Sequence, residues 1–314
     1  MAEPLISISI PSYERLEFFD RLLESIKIQT FKNFEVIVTD DSKTENVKNY
    51  IQNYKADFPL YYYKNIPSLG TAKNMFEGRR YARSQWIKII HDDDFFATEN
   101  AIEEYAKAIS KGARYIFSGY NEYIENQKKS INKTISEAKF NELSKEPSIL
   151  FANNLIGPPS VFMFHTSVED VFDISLKWFT DMEYYYRILG KEKAYYIAQP
   201  IVNVSSNDTQ VTSYTRTNPS VIIPEALYLL NKHGNKIASN LIAYDSWWRV
   251  FRNMGITDID EIQKYNRGDN IPAFVKKMLN HQRAIPRKMI KNGFLSKACM
   301  GVSFILNKIG GMNV

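Results

Sequence analysis

The stretch LISISIPSYERLEFFDRLLESIKIQTFKNFEVIVTDDS, residues 5–42, changes its hydrophobic period twice. Leu5 to Ile10 reads as a strand. Leu16, Phe19, Leu23 and Ile26 then recur at helical spacing up to Gln29. Phe34 to Thr39 is a continuous β-branched run of the kind found in strands buried on both faces. A strand, a helix and a second buried strand in immediate succession make a right-handed βαβ unit.

The same alternation continues outward. Val47, Ile51 and Tyr54 mark a helix with Thr44 available as N-cap, and Leu60 to Tyr63 a third strand. Thr71 to Ala82 is a helix, and Trp86 to Ile90 a strand running straight into Asp92, Asp93 and Asp94. Thr98 is placed to cap a helix through Ile109, after which Arg114 to Ser118 returns to strand. This predicts an α/β fold with a Rossmann-like, mostly parallel sheet flanked by helices.

After Gly119 the alternation weakens. Residues 158–167 and 195–204 read as short strands around one clear helix, Asp181 to Leu189, and from about Pro219 the pattern is mainly helical. The expected organisation is a catalytic domain over 1–215 and a helical C-terminal region over 216–314, for acceptor, oligomer or membrane contact.

The 314 residues are 44% hydrophobic, enough for one large core or a main domain with an appendage. The formal charge of +5 suits a phosphate-bearing ligand or an anionic surface without demanding either, and no nucleic-acid partner is expected. A lone cysteine, Cys299, excludes an intramolecular disulfide framework and a cysteine-based zinc site, which fits a reducing compartment. The N-terminus does not read as a signal peptide, and no run of about 18 apolar residues predicts a membrane span. The expected location is therefore cytoplasmic.

In open parallel sheets, ligands bind beyond the carboxyl ends of the strands. Pro11-Ser12-Tyr13, Asp40-Asp41-Ser42 and His91-Asp92-Asp93-Asp94 follow three of them, gathering acidic side chains along one edge. Two like charges roughly 5 Å apart repel by about 3 kcal/mol at an effective dielectric of 20. A divalent cation relieves that, and oxygen ligands favour Mg²⁺ or Mn²⁺. A solvated turn before the next helix, with its charges favoured by the helix dipole, is the competing reading.

Three blocks, SISIPSYERLEFFDRLLESIKIQTFKNFEVIVTDDS, NIPSLGTAKN and WIKIIHDDDFF, resemble in order and spacing the nucleotide-binding half of family 2 glycosyltransferases, an inverting group with the GT-A fold. The resemblance covers about the first two hundred residues. It implies that Pro11, Ser12 and Tyr13 lie along the nucleoside and that Asp40 and Asp41 sit near the base. Asn65, Gly70, Lys73 and Asn74 would contact base and diphosphate, with Lys73 where the family usually has arginine. Asp92 would meet the ribose, Asp93 the metal, Mn²⁺ or Mg²⁺, and Asp94 would support it from behind. His91, at the motif's first position, is read as a strand-end histidine satisfied by backbone rather than as a ligand.

WFTDMEYYYRIL, residues 178–189, aligns with the family's catalytic block, placing Asp181 on the general base and Arg187 on its arginine. Thr180-x-x-Glu183 also reads as a capping box, which favours a structural role for Glu183 at the helix start. The resemblance implies a lid after the last core strand, where Asn207 or Asp208 occupies the place of a residue near the metal. The resemblance thus implies an inverting transfer from a nucleotide-diphosphate sugar, most simply a UDP-sugar, to a glycan or lipid-linked acceptor. A bacterial surface polysaccharide such as O-antigen or capsule is the implied setting, at the cytoplasmic face of the inner membrane. A catalytically silent nucleotide-sugar-binding scaffold subunit is the alternative.

In the C-terminal region, Leu295, Ala298, Val302, Ile305 and Ile309 fall on one helical stripe among Arg287, Lys288, Lys291, Lys297 and Lys308. Such a helix fits peripheral membrane contact, or packing on the catalytic domain or on a partner subunit in a homo-oligomer. Trp247 offers an aromatic face of the kind that lines an acceptor groove, while one of the adjacent pair Trp247 and Trp248 is expected in the core.

Overall fold

A computed structural model of the chain describes residues 3–206, 215 and 217–310. Two compact units share it. The first runs through Lys145, then takes Leu155–Ile174 and the chain from Arg187 through the last strand. The second takes Glu146–Asn154, Ser175–Tyr186 and the C-terminal helices. The division therefore does not fall at a single point near residue 215, because two short insertions join the helices.

The first unit holds one nine-stranded sheet. β1 (Ile6–Ser12) lies between β2 (Phe34–Asp40) and β4 (Trp86–Ile89), with β3 (Leu60–Lys64) outside β2, and all these pairings are parallel. The ISISI alternation has a direct meaning in this setting. Ile6, Ile8 and Ile10 enter the core with Phe19, Leu22, Leu23 and Ile26 of helix α1 (Phe19–Lys27). On the other face, Ser7 donates to Glu35, and Ser9 leaves room for helix α3 (Thr71–Tyr81), where a Cβ at Gly78 would lie 2.0 Å from Ser9 Oγ.

Beyond β4 the sheet becomes mixed. β8 (Phe162–His165) runs antiparallel to β4 and to β6 (Tyr115–Ile124), and β9 (Ala194–Ser206) runs parallel to β6. The two-residue β5 (Phe95–Phe96), directly after the aspartates, pairs antiparallel with β9, and β7 (Lys129–Lys133) forms a hairpin on β6. The parallel half matches the expectation from hydrophobic period. β6 outruns the expected Ser118 because both of its edges continue to find partners.

Two expected caps are not used. Helix α2 (Asn46–Asn53) starts without a side-chain cap, and Thr44 Oγ1 donates to Glu14 instead. Helix α4 (Ala101–Ile109) starts after Asn100, while the Thr98 carbonyl accepts from Gln29.

The second unit is helical around Trp247 and Trp248, both fully buried. Helix α5 (Pro219–His233) is capped by Asn218 and helix α6 (Leu241–Asn253) by Asn240. Helices α7 (Ala273–Ala284) and α8 (Gly293–Ile309) complete the set used below. Phe151 and Phe179, from the two insertions, put their rings 5.4 and 5.8 Å from Trp247, whose indole N–H donates to the Ile237 carbonyl. Trp247 is thus core and lines no acceptor groove, correcting the sequence reading. An adjacent aromatic pair on a helix can be buried on both sides when partners surround it.

Candidate active site

The parallel register brings four strand ends level. Ser12 pairs with Asp40, Asp40 with Lys64, and β4 delivers His91 to Asp94 beside them. Tyr13 follows β1, half exposed, and its N–H donates to Asp92 Oδ2 at 3.1 Å.

Asp40, Asp41, Asn65 and Asn74 are brought together and buried, with their polar atoms directed at one another and at the loops. Asp40 accepts from the Ser42 N–H, from the Tyr62 hydroxyl at 2.7 Å and from Lys64 at 3.2 Å. Asp41 accepts from Asn65 Nδ2 and from the N–H groups of Leu69 and Gly70, which fixes the turn leading into α3. Gly70 adopts a left-handed φ of 78° there. Asn74 closes the network by donating to the Ser12 and Thr39 carbonyls. Lys73, in the first turn of α3, is exposed.

The three aspartates after β4 are all buried. Asp94 Oδ1 accepts from the Ser205 N–H, while Oδ2 has no hydrogen-bond partner. Burial, then the charge of Asp93, raises the Asp94 carboxyl well above its ordinary range. Asp92 is pushed up to about 7 by burial and by Asp93, against the opposing pull of Arg15 and the Tyr13 N–H. The Asp93 carbonyl accepts from Ser205 Oγ and from Arg21, whose guanidinium lies 4.2 Å from the Phe95 ring centre.

Ligand atoms of His91, Asp93 and Asp94 lie within 4.8 Å of one another. The His91 N–H is held by Ser160 Oγ at 2.9 Å, but its ring Nε2 is buried without a hydrogen-bond partner. Burial holds the ring down to about 4, so the imidazole is neutral at physiological pH and has a free lone pair. One imidazole, whose Nδ1 lies 3.6 Å from Asp94 Oδ2, and two carboxylates make a donor set that fits a divalent cation such as Mn²⁺. The His91 ring thus has a side-chain neighbour in Asp94 besides its backbone contact, and Asp94 belongs to the same cluster as Asp93. Asn207 lies outside the described residues.

Two participants carried no sequence signal. Arg15 Nη1 lies 2.6 Å from Asp93 Oδ2 and 3.7 Å from Asp92 Oδ1. Lys88 is buried inside β4, donating to the Ile89 and Ser160 carbonyls with its ammonium 4.7 Å from the Tyr105 ring centre. Burial drives the Lys88 pKa far down, and its bond to Ser160 braces the turn that holds His91.

In the second unit, the first turn of helix Thr180–Leu189 carries Asp181, half-buried, whose Oδ2 accepts from Asn154 at 2.7 Å and Oδ1 from the Met182 N–H. Desolvation raises its carboxyl to about 6. The loop before it is held by Glu225, which accepts the N–H groups of Lys177, Trp178 and Phe179. Glu183 is fully buried, 2.8 Å from Lys232 and 3.1 Å from His233, a structural ion pair rather than only a helix-start cap. In the first unit, Arg187 is anchored on Asp170 and the Val171 carbonyl.

The family model described as Glycosyl transferase family 2 matches residues 7–172. An uncharacterized glycosyltransferase of Haemophilus influenzae is 30% identical over 157 residues, covering 50% of this chain and 52% of that protein. A GalNAc(5)-diNAcBac-PP-undecaprenol beta-1,3-glucosyltransferase of Campylobacter jejuni is 25% identical over 116 residues, 36% of this chain and 37% of its own. The chain thus spans about half the length, or less, of these two relatives. Among solved structures, S. aureus TarS in complex with UDP-GlcNAc superposes with a TM-score of 0.57 at 13% identity, over 97% of this chain and 92% of that one. A mannosyltransferase of Pyrobaculum calidifontis in complex with GDP-Man and Mn²⁺ gives 0.56 at 11%, over 99% and 88%. The strand-end motifs, the sheet that aligns them and the matched family model lead to one assignment: the chain belongs to glycosyl transferase family 2 and has a GT-A fold.

Proposed function

We propose that this glycosyltransferase moves a sugar, with inversion at the anomeric carbon, from a nucleoside diphosphate sugar to a hydroxyl of a glycan or lipid-linked acceptor. The observation that carries the reading is the cluster of partly buried His91 with buried Asp93 and Asp94 at the carboxyl end of β4, level with the ends of β1 and β2. The nucleotide-sugar complexes of the structural neighbours support a nucleotide-sugar donor, and UDP is the nucleotide we assign. The undecaprenol-linked substrate in the Campylobacter relative's name supports a lipid-linked acceptor, as in surface polysaccharide assembly.

In this reading the exposed Tyr13 ring lies beside the nucleoside, with Pro11 and Ser12 under it. The Asp40, Asp41, Asn65 and Asn74 network keeps those loops in position, which lowers the ordering cost of binding. Lys73 and the first turn of α3 offer positive charge to the diphosphate. A divalent cation, Mn²⁺ or Mg²⁺, held by Asp93 and Asp94 with His91, would supply charge stabilisation for the departing diphosphate. Asp181 accepts the proton of the acceptor hydroxyl. The acceptor oxygen bonds to the anomeric carbon as the bond to the diphosphate breaks, and the electron pair leaves with the nucleoside diphosphate. Its raised pKa gives Asp181 more basicity than an exposed aspartate while leaving it ionised at neutral pH.

The test has two steps. A thermal-shift series with UDP and GDP, with and without Mn²⁺, identifies the base, because a ligand of the folded state raises apparent stability. Wild type and Asp181→Asn are then compared for turnover of the matching nucleotide sugars, with the anomeric configuration of the product read by NMR. Inverted product and a collapse of turnover in Asp181→Asn are expected. Nucleotide binding without turnover in wild type would leave a nucleotide-sugar-binding scaffold as the better description, equal turnover would remove Asp181 as the base, and a retained configuration would end the single-displacement reading.

A further inference from the structure

Helix α8 has its polarity inverted. The residues it buries are Ser296, Met300, Ser303 and Asn307, three of them polar, and each polar one makes a hydrogen bond inside the unit. Ser296 accepts from the Trp248 indole at 3.0 Å and from Arg252 at 2.8 Å. Ser303 meets the Tyr244 hydroxyl at 2.7 Å and the His281 ring at 2.8 Å, and Asn307 donates to Tyr244 at 2.6 Å.

Solvent instead receives Phe294, Leu295, Val302, Ile305, Leu306 and Ile309, with Phe294 84% and Ile309 80% exposed. At 3.6 residues per turn these six occupy a continuous arc of about 120°. Lys297 and Lys308 border it on one side. A contiguous outward apolar face on a helix that already packs by its opposite side marks a contact surface.

Charge identifies what the surface meets. No Asp or Glu follows Asp269, while eight Lys and Arg do, against a net +5 for the whole chain. All eight are exposed. Two copies of such a region would repel each other. An anionic surface would attract it, and lysines bordering an apolar arc can extend their ammonium groups to headgroup level while their stems stay with the apolar residues. No helix among the described residues is long and apolar enough to cross a membrane, so an in-plane contact is the geometry left to this one.

We propose that the outward face of Gly293–Ile309 lies in the plane of an anionic phospholipid bilayer. Phe294, Val302, Ile305 and Ile309 enter the acyl boundary, and the basic residues from Lys276 to Lys308 meet the headgroups. This rests on the helix alone and is independent of the donor and base assignments above.

Flotation of the full chain with phosphatidylcholine vesicles, with and without phosphatidylglycerol, tests it. Binding to the phosphatidylglycerol vesicles only, weakening as salt rises, is expected. Val302→Glu with Ile305→Glu should abolish flotation while leaving circular dichroism and melting temperature unchanged, since both positions are exposed. Lys297→Gln with Lys308→Gln should lower the partition coefficient roughly thirtyfold. Wild type that fails to float with the anionic vesicles, or a glutamate variant that floats as wild type does, overturns the proposal. So does light scattering that shows a dimer dissociated by the glutamate variant while neither protein floats, which would make a second copy the occupant.

Discussion

Arg15 Nη1 lies 2.6 Å from Asp93 Oδ2, so the central carboxylate of the candidate metal cluster is already paired with a cation supplied by the chain. A divalent ion must compete with that guanidinium. Arg15→Gln should therefore lower the Mn²⁺ concentration at the midpoint of thermal stabilisation by about tenfold, allowing for the partial exposure of Arg15. In the metal-free protein the same change leaves Asp93 buried without its partner, so the melting temperature should fall. An unchanged midpoint would mean that Asp93 does not meet the ion.

His91 separates Mn²⁺ from Mg²⁺. Imidazole is a better donor to the softer transition ion than to Mg²⁺, which prefers oxygen. Removing the ring by His91→Ala should raise the Mn²⁺ midpoint on the order of tenfold to a hundredfold and the Mg²⁺ midpoint by less. Equal shifts for both ions would show the ring acting through the backbone turn it occupies, not through a ring nitrogen on the ion.

Asp181, as the proposed base, works only when ionised, and its carboxyl is raised to about 6 by desolvation. The pH profile of kcat/KM should rise through about pH 6 and level above it, and Asp181→Asn should lower kcat by roughly a hundredfold to ten-thousandfold. Stability has the opposite sign. The folded protein holds this proton more tightly than the unfolded chain, so between the ordinary carboxylate value and pH 6 stability falls as pH rises. Asp181→Asn should therefore gain roughly 1–2 kcal/mol at pH 7, discounted for partial exposure, and nothing at pH 3. A variant that loses both activity and stability would point to a structural role instead.

The parallel half of the sheet was legible because its signals are local: isoleucines alternating with serines, a buried β-branched run, and aspartates crowded at a strand end. What stayed hidden depends on distant partners. Thr44 reads as a cap until Glu14, thirty residues earlier, takes its hydroxyl. Arg15 sits between a strand and a helix, where no period assigns it a direction. The stripe of helix α8 was visible, but not its orientation. Ser296, Ser303 and Asn307 look like a solvent face until Trp248, Tyr244 and His281 supply buried partners.

Glu225 shows the same dependence at the candidate base, and it yields the last test. Its buried carboxylate accepts three consecutive N–H groups, Lys177 to Phe179, immediately before the helix that carries Asp181. Glu225→Gln keeps the shape but can accept through one oxygen only, and its NH₂ would face N–H donors. A loss of about 1–3 kcal/mol is expected. As a positioning residue, Glu225 should also affect kcat more than KM for the donor when assayed well below the melting transition, and the apparent pKa near 6 should move with it. A variant that melts earlier yet keeps kcat and its pH profile would confine Glu225 to stability and leave Asp181 held by Asn154 and the Met182 N–H.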